Sequence, residues 1–130
     1  MRSAVKAEIL KGKRVMVVED DYIQSGDIAQ TLISQGADVV VFDDVRSALG
    51  FLGNNFVDIA LLDVQLGREL SYPIADEFLR LCIPFLLLSG HKQADVPARF
   101  AHVPFVGKPC SHEELVALMI STVHGNELTF

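Results

Sequence analysis

The chain has 130 residues, half of them hydrophobic, enough for one domain with a sizeable core. A formal net charge of -6, with no basic run and no interleaved aromatics, argues against a binder of nucleic-acid backbones. The longest apolar run, Ile83 to Leu88, contains a proline and falls far short of a membrane span. The opening residues include Glu8 and lack a long apolar core, so they make a poor signal peptide and a cytoplasmic protein is expected. Cys82 and Cys110 read as two free thiols, buried or half-buried, because a chain of this size needs no disulfide.

Residues 1–12 form a polar lead-in with no assigned structure. Arg14 to Val18 reads as a strand that runs straight into Glu19, Asp20 and Asp21. A helix is expected from Tyr22, with Asp21 as N-cap, Ala29, Leu32 and Ile33 on its buried face and Gly36 as its stop. Asp38 to Phe42 is a second strand. Asp43 or Asp44 caps a helix whose apolar stripe is Val45, Ala48, Leu49 and Leu52, and Gly53-Asn54-Asn55 ends it. Val57 to Leu62 is a short apolar run bounded by turn signals, the pattern of a strand covered on both faces, and Asp63 stands at its exit. Residues 64–71 are expected to be a loop. A short helix then carries Ile74, Ala75, Phe78 and Leu79 inward. Pro84 precedes a fourth strand, Phe85 to Leu88, which ends at Ser89-Gly90. Asp95 to Ala101 suits one or two helical turns, with Pro97 in the first. Pro104 to Gly107 is a fifth strand and ends at Lys108-Pro109. Ser111 and Glu114 make a capping box for a last helix that buries Leu115, Leu118, Met119 and Thr122. The phenylalanines at 51, 56, 78, 85 and 100 read as core.

Strands alternating with helices predict an α/β fold, a single doubly wound five-stranded parallel sheet with helices on both faces. No repeat or linker divides the chain. One domain is expected over 13–124, between the lead-in at 1–12 and a tail at 125–130. In such sheets ligands bind outside the carboxyl ends of the strands. Those ends carry Glu19 and Asp20, then Asp63, Ser89 and Lys108.

Three carboxylates held close repel one another unless a cation joins them, and Mg²⁺ suits a few carboxylates with retained waters. Lys108 adds a mobile positive charge and Ser89 a hydroxyl donor. A carboxylate nucleophile, a divalent ion, a lysine and a hydroxyl are the parts needed to take up a phosphoryl group. Each part alone has an ordinary explanation. An acid after a strand is commonly a helix N-cap, and Ser89-Gly90 or Lys108-Pro109 alone is a plain turn. The weight lies in their order and shared location.

Val17-Val18-Glu19-Asp20-Asp21, Leu61-Leu62-Asp63, Leu88-Ser89-Gly90 and Phe105-Val106-Gly107-Lys108-Pro109 together resemble the receiver domain of two-component response regulators. The resemblance implies a flavodoxin-like sheet with strand order 2-1-3-4-5. It makes Asp63 the phosphoacceptor. Glu19 and Asp20 become the metal-binding acids, Asp20 the preferred direct ligand, with Asp63 and the backbone carbonyl of Gln65 completing the set for Mg²⁺ or, alternatively, Mn²⁺. Ser89 and Phe105 become the switch residues, Lys108 the phosphoryl partner, and the Lys108-Pro109 peptide is expected to be cis. The implied partners are a histidine kinase or phosphotransfer protein and an output protein, with no nucleic acid or membrane bound directly. The implied role is a phosphorelay switch, not an enzyme.

Phe85-Leu-Leu-Leu-Ser-Gly90 resembles the receiver subgroup with a Phe-x-Phe-Ala-Thr-Gly pattern, so the fourth helix is expected to be short or irregular, with 93–101 mobile or briefly helical. Gln65 and His91, each two residues beyond a site residue, are candidates to tune the lifetime of the phosphorylated state; the alternative is that both are solvated loop side chains. Gln65-Leu-Gly-Arg-Glu-Leu-Ser-Tyr-Pro73 departs from the usual receiver turn. Two other functions compete. A Mg²⁺-dependent aspartyl-nucleophile phosphohydrolase needs a second acid where Gln65 stands. A receiver-like interaction module would never be phosphorylated. No effector domain is expected after residue 130, which leaves a stand-alone regulator and the receiver of a hybrid kinase both open.

Overall fold

The computed structural model describes residues 9–90 and 95–127. Five short strands form one parallel sheet: β1 (Arg14–Val18), β2 (Asp38–Phe42), β3 (Ile59–Asp63), β6 (Phe85–Ser89) and β7 (Phe105–Gly107). Their order is β2-β1-β3-β6-β7, which in chain order is the expected 2-1-3-4-5. Between β3 and β6 lie two further two-residue strands, β4 (Gln65–Leu66) and β5 (Glu69–Leu70). Four helices connect the rest: α1 (Tyr22–Ser34), α2 (Val45–Leu52), α3 (Tyr72–Arg80) and α4 (His112–Glu127).

Strand alternation sends side chains to two apolar layers. Met16, Val18, Ala60, Leu62, Phe85 and Leu87 face one side, where Ala48 and Leu52 of α2 and Ile74, Ala75 and Phe78 of α3 cover them. Val15, Val17, Ile59, Leu61, Leu86 and Leu88 face the other, under Ile28 and Leu32 of α1 and Leu115, Val116, Met119 and Val123 of α4. Apart from Arg14 at the start of β1, the three central strands are therefore buried throughout, and polar residues at their ends stand out.

The helix signals act as read. Asp21 accepts from the backbone N–H groups of Ile23 and Gln24, and Asp44 from Ser47. Ser111 and Glu114 exchange reciprocal bonds of 3.0 and 3.3 Å at the start of α4. Gly36 takes φ +94° just past α1, a left-handed conformation that glycine adopts without a Cβ clash. The Lys108-Pro109 peptide is cis.

Several expectations need correction. The face of α1 is set by Ser25, Ile28 and Leu32, and Ile33, about 100° further round, is 51% exposed. Leu79 sits at the exposed margin of α3 and Phe56 is 71% exposed, so neither is core. Cys82 is an exposed free thiol, whereas Cys110 is half-buried and also free. Leu10, in the polar lead-in, is fully buried and its N–H donates to the Gln35 carbonyl at 2.7 Å. Residues 64–71 are not an open loop but fold as the β4–β5 hairpin. The stretch between β6 and β7 agrees with expectation: its described residues hold a single 3-10 turn, Ala98–Phe100, the short fourth helix foreseen there. That turn is fastened: Phe100 is buried and stacks on Tyr72, and Arg99 makes a two-pronged ion pair with Asp76 on α3. Helix α4 continues past residue 124 to Glu127. No helix among the described residues is long and apolar enough to cross a membrane.

Candidate functional site

The site forms where the central strands end side by side. Val18 of β1 lies beside Leu62 of β3, and Asp63 beside Leu88 of β6. Glu19 and Asp20 therefore follow β1, Asp63 closes β3 and Ser89 closes β6 on one sheet edge. Ser89 pairs with Gly107, and the Lys108 N–H donates to the Ser89 carbonyl at 2.8 Å, which brings the lysine to the same edge.

Asp63 is buried. Its Oδ2 accepts from Lys108 Nζ at 2.5 Å and its Oδ1 from the Gln65 N–H at 3.1 Å. Glu19 is only 2% exposed. Its Oε2 accepts from the Asp21 N–H at 3.0 Å, but its buried Oε1 has no hydrogen-bond partner, and Lys108 Nζ stands 3.5 Å away. Asp20 is exposed, and its Oδ2 accepts from the Gly67 N–H at 2.7 Å.

Burial pushes the Glu19 carboxyl up to about 7. The Asp21 N–H works against this, Asp63 adds to it, and Lys108 offsets part of it. For Lys108, burial favours the neutral amine, but the hydrogen bond and charge of Asp63, with Glu19 behind them, outweigh it and leave the ammonium more basic than usual. The lysine is thus held charged against the acid.

Glu19, Asp20 and Asp63 each bring an oxygen within 4.8 Å of the other two. One of the buried oxygens is unpartnered, and the Lys108 ammonium stands against Glu19 and Asp63 while Asp20 adds a third carboxylate. An all-oxygen, net-negative cluster of this kind fits a hard divalent cation such as Mg²⁺, and these three acids are the residues that would hold it.

The remaining candidates are placed as follows. Ser89 is buried at the end of β6. Phe105 begins β7, half-buried against the layer that contains Phe100 and Val103. The Gln65 side chain is turned onto the hairpin, where Nε2 donates to the carbonyls of Gly67 at 2.9 Å and Glu69 at 3.3 Å. His91 lies outside the described residues.

Sequence reasoning passed over Ser71. It is wholly buried, and its hydroxyl donates to the main-chain carbonyl of Asp63 at 2.6 Å. Although it opens α3, its side chain makes no capping bond. A serine just before Tyr72-Pro73 carries the ordinary signal of a helix start, and that signal conceals the contact. Gly67 was visible only as a break, yet its N–H reaches Asp20.

Residues 15–120 match the family model described as the response regulator receiver domain. The chain is 28% identical over 126 residues to the transcriptional regulatory protein YbdJ of Bacillus subtilis (strain 168), covering 93% of this chain and 55% of YbdJ. It is 27% identical over 110 residues to the regulatory protein VirG of Rhizobium rhizogenes, covering 81% of this chain and 46% of VirG. The chain thus spans about half the length of these curated relatives. A CheY-like response regulator receiver domain protein from Methanospirillum hungatei JF-1 superposes with a TM-score of 0.79 at 21% identity, covering 88% of this chain and 96% of that one. With the family match running from the first strand into the last helix, this chain belongs to the response regulator receiver domains, signalling modules of two-component systems and not enzymes.

Proposed function

We propose that the chain is a phosphoacceptor in a two-component phosphorelay, with Asp63 as the acceptor and Mg²⁺ as the required cation. The donor is a phosphohistidine on a histidine kinase or phosphotransfer protein. The observation that carries the reading is Lys108 Nζ at 2.5 Å from Asp63 Oδ2, beside two further acids at the same sheet edge. A carboxylate oxygen of Asp63 attacks phosphorus, a P–O bond forms, and the donor's P–N bond breaks. Mg²⁺ bound by Glu19, Asp20, Asp63 and the Gln65 carbonyl would neutralise charge on the phosphoryl oxygens. Lys108 supplies a second positive group to those oxygens, and in moving to them it leaves Asp63 free to react. Ser89 meets the phosphoryl group with its hydroxyl, and Phe105 follows it, shifting an existing equilibrium at the surface that binds the output partner. His91 and Gln65 set how long the phosphoryl group survives.

Gln65 stands where an aspartyl-nucleophile hydrolase has its second acid, and it supplies no carboxylate there. The test is phosphoryl uptake from acetyl phosphate, and from a phosphorylated histidine kinase, with and without Mg²⁺. Uptake should require Mg²⁺ and vanish in Asp63→Asn. Equal labelling of Asp63→Asn, or no labelling of the parent from either donor, would overturn the proposal.

A further inference from the structure

The hairpin between β3 and α3 touches the site at three points. The Gly67 N–H holds Asp20 Oδ2 at 2.7 Å, the Gln65 N–H holds Asp63 Oδ1 at 3.1 Å, and the Ser71 hydroxyl holds the Asp63 carbonyl at 2.6 Å. Yet the hairpin pairs only Gln65 with Leu70 and Leu66 with Glu69. A two-stranded ribbon that small is not stable alone. Leu66 is buried and anchors one side, while Glu69 and Leu70 on the other side are exposed. Gly67 turns the chain at φ +60°. What closes the turn is the Gln65 side chain, whose amide nitrogen donates to both Gly67 and Glu69 carbonyls.

We infer that Gln65 is a positioning residue of the cation site. Its side-chain amide clasps the hairpin, the clasp fixes the Gly67 N–H, and that N–H pins one oxygen of Asp20 so that the other is presented to the cation. The inference rests on the receiver function proposed above. It assigns the Gln65 amide a role at the turn, distinct from any reach over the phosphoryl group. Asp20 is exposed, and without the Gly67 bond it would sample several rotamers and pay an ordering cost on ligation. Groups that hydrogen-bond a ligating carboxylate hold it in its binding geometry, and their loss typically weakens metal binding by about 10- to 100-fold.

Gln65→Met keeps the length and removes both donors without adding charge. NMR titration with Mg²⁺ alone, in the absence of any phosphoryl donor, should show about tenfold weaker binding than the parent. The Gly67 amide should exchange faster with solvent in the metal-free variant, while amide shifts in β1 and β6 stay put. Leu70→Ala, an exposed change on the same hairpin, should leave both readouts at the parent's values. Parent-like Mg²⁺ binding or parent-like Gly67 exchange in Gln65→Met would overturn the inference, as would an equal loss in Leu70→Ala. The inference can fail in this way while Asp63 still takes up a phosphoryl group. A parent that binds no Mg²⁺ removes the proposed cation site itself, and Gly67 exchange then decides whether the clasp exists.

Discussion

Replacing Glu19 with Gln should make the metal-free protein more stable at pH 8 and change it little at pH 5. Glu19 is 2% exposed, and burial is the largest of the causes that raise its carboxyl from 4.5 to about 7. Below pH 4.5 the group is protonated in the folded and unfolded chain alike. Between 4.5 and 7 the unfolded chain has lost the proton and the fold still holds it, so stability falls as pH rises. Above 7 both forms are ionised and the full penalty stands. At about 1.4 kcal/mol per pH unit, this accumulates to about 3 kcal/mol. Gln keeps an oxygen for the Asp21 N–H but gives up the attraction to Lys108, which offsets part of the gain. A net stabilisation of about 1–2 kcal/mol at pH 8 is expected. Urea unfolding in EDTA, followed by far-UV circular dichroism, reads this as a midpoint raised by about 1 M, given typical slopes for a small domain. Saturating Mg²⁺ at pH 8 should stabilise the parent more than the variant, because the ion binds only the folded cluster. A variant destabilised equally at pH 5 and pH 8 would refute the reasoning, since Glu19 would then be an ordinary hydrogen-bonded side chain and not a strained anion.

Lys108→Met should bind Mg²⁺ more tightly than the parent, because the ammonium 2.5 Å from Asp63 is a resident cation that competes for the same charge, and it should take up a phosphoryl group more slowly; Mg²⁺ binding as weak as the parent's would count against that competition. Ser71→Ala leaves the Asp63 carbonyl without its hydroxyl donor in a wholly buried place and should cost about 1–3 kcal/mol in urea unfolding; a loss under about 0.5 kcal/mol would mean that the bond is dispensable. Leu10→Ala should cost about 2–5 kcal/mol although it lies before the first strand, since the side chain is fully buried among Ile28, Leu32 and their neighbours; an unchanged midpoint would show that the lead-in does not belong to the core.

The five sheet strands were legible because each is a short apolar run that meets a polar residue at its end. In the central strands burial on both faces leaves Val, Ile and Leu no room for polar alternation, and Asp63 or Ser89 marks the point of exit. The same geometry made the site legible: parallel neighbours put consecutive strand-end residues on one edge, so chain order alone located Glu19, Asp20, Asp63, Ser89 and Lys108. What stayed hidden depends on side chains that act out of register with any period. The hairpin is closed by the Gln65 amide, and a side-chain clasp has no repeating signature. Ser71 looks like a helix cap and acts on Asp63 instead. Ile33 and Leu79 are apolar at positions only one step from the buried face, a distinction that a hydrophobic stripe does not resolve. Leu10 is a single apolar residue whose burial is decided by the chain's return past Gln35.

The outer margins of the sheet bear on how copies of this protein tolerate one another. An open parallel sheet ends in strands with an unpaired row of backbone groups, and such rows can template cross-molecular strand addition. Here β7 has three residues, too few to offer a long template. The opposite margin, β2, holds Val39, Val40, Val41 and Phe42, a run of the kind that seeds aggregation when exposed. Asp38 before it and Asp43 and Asp44 after it place negative charge at both ends, and Asp38 is further tied to Arg14 at 2.9 Å. Two copies stacked edge to edge through this strand would bring like charges together at each end, so these acids oppose such stacking, and Asp44 caps the neighbouring helix as well.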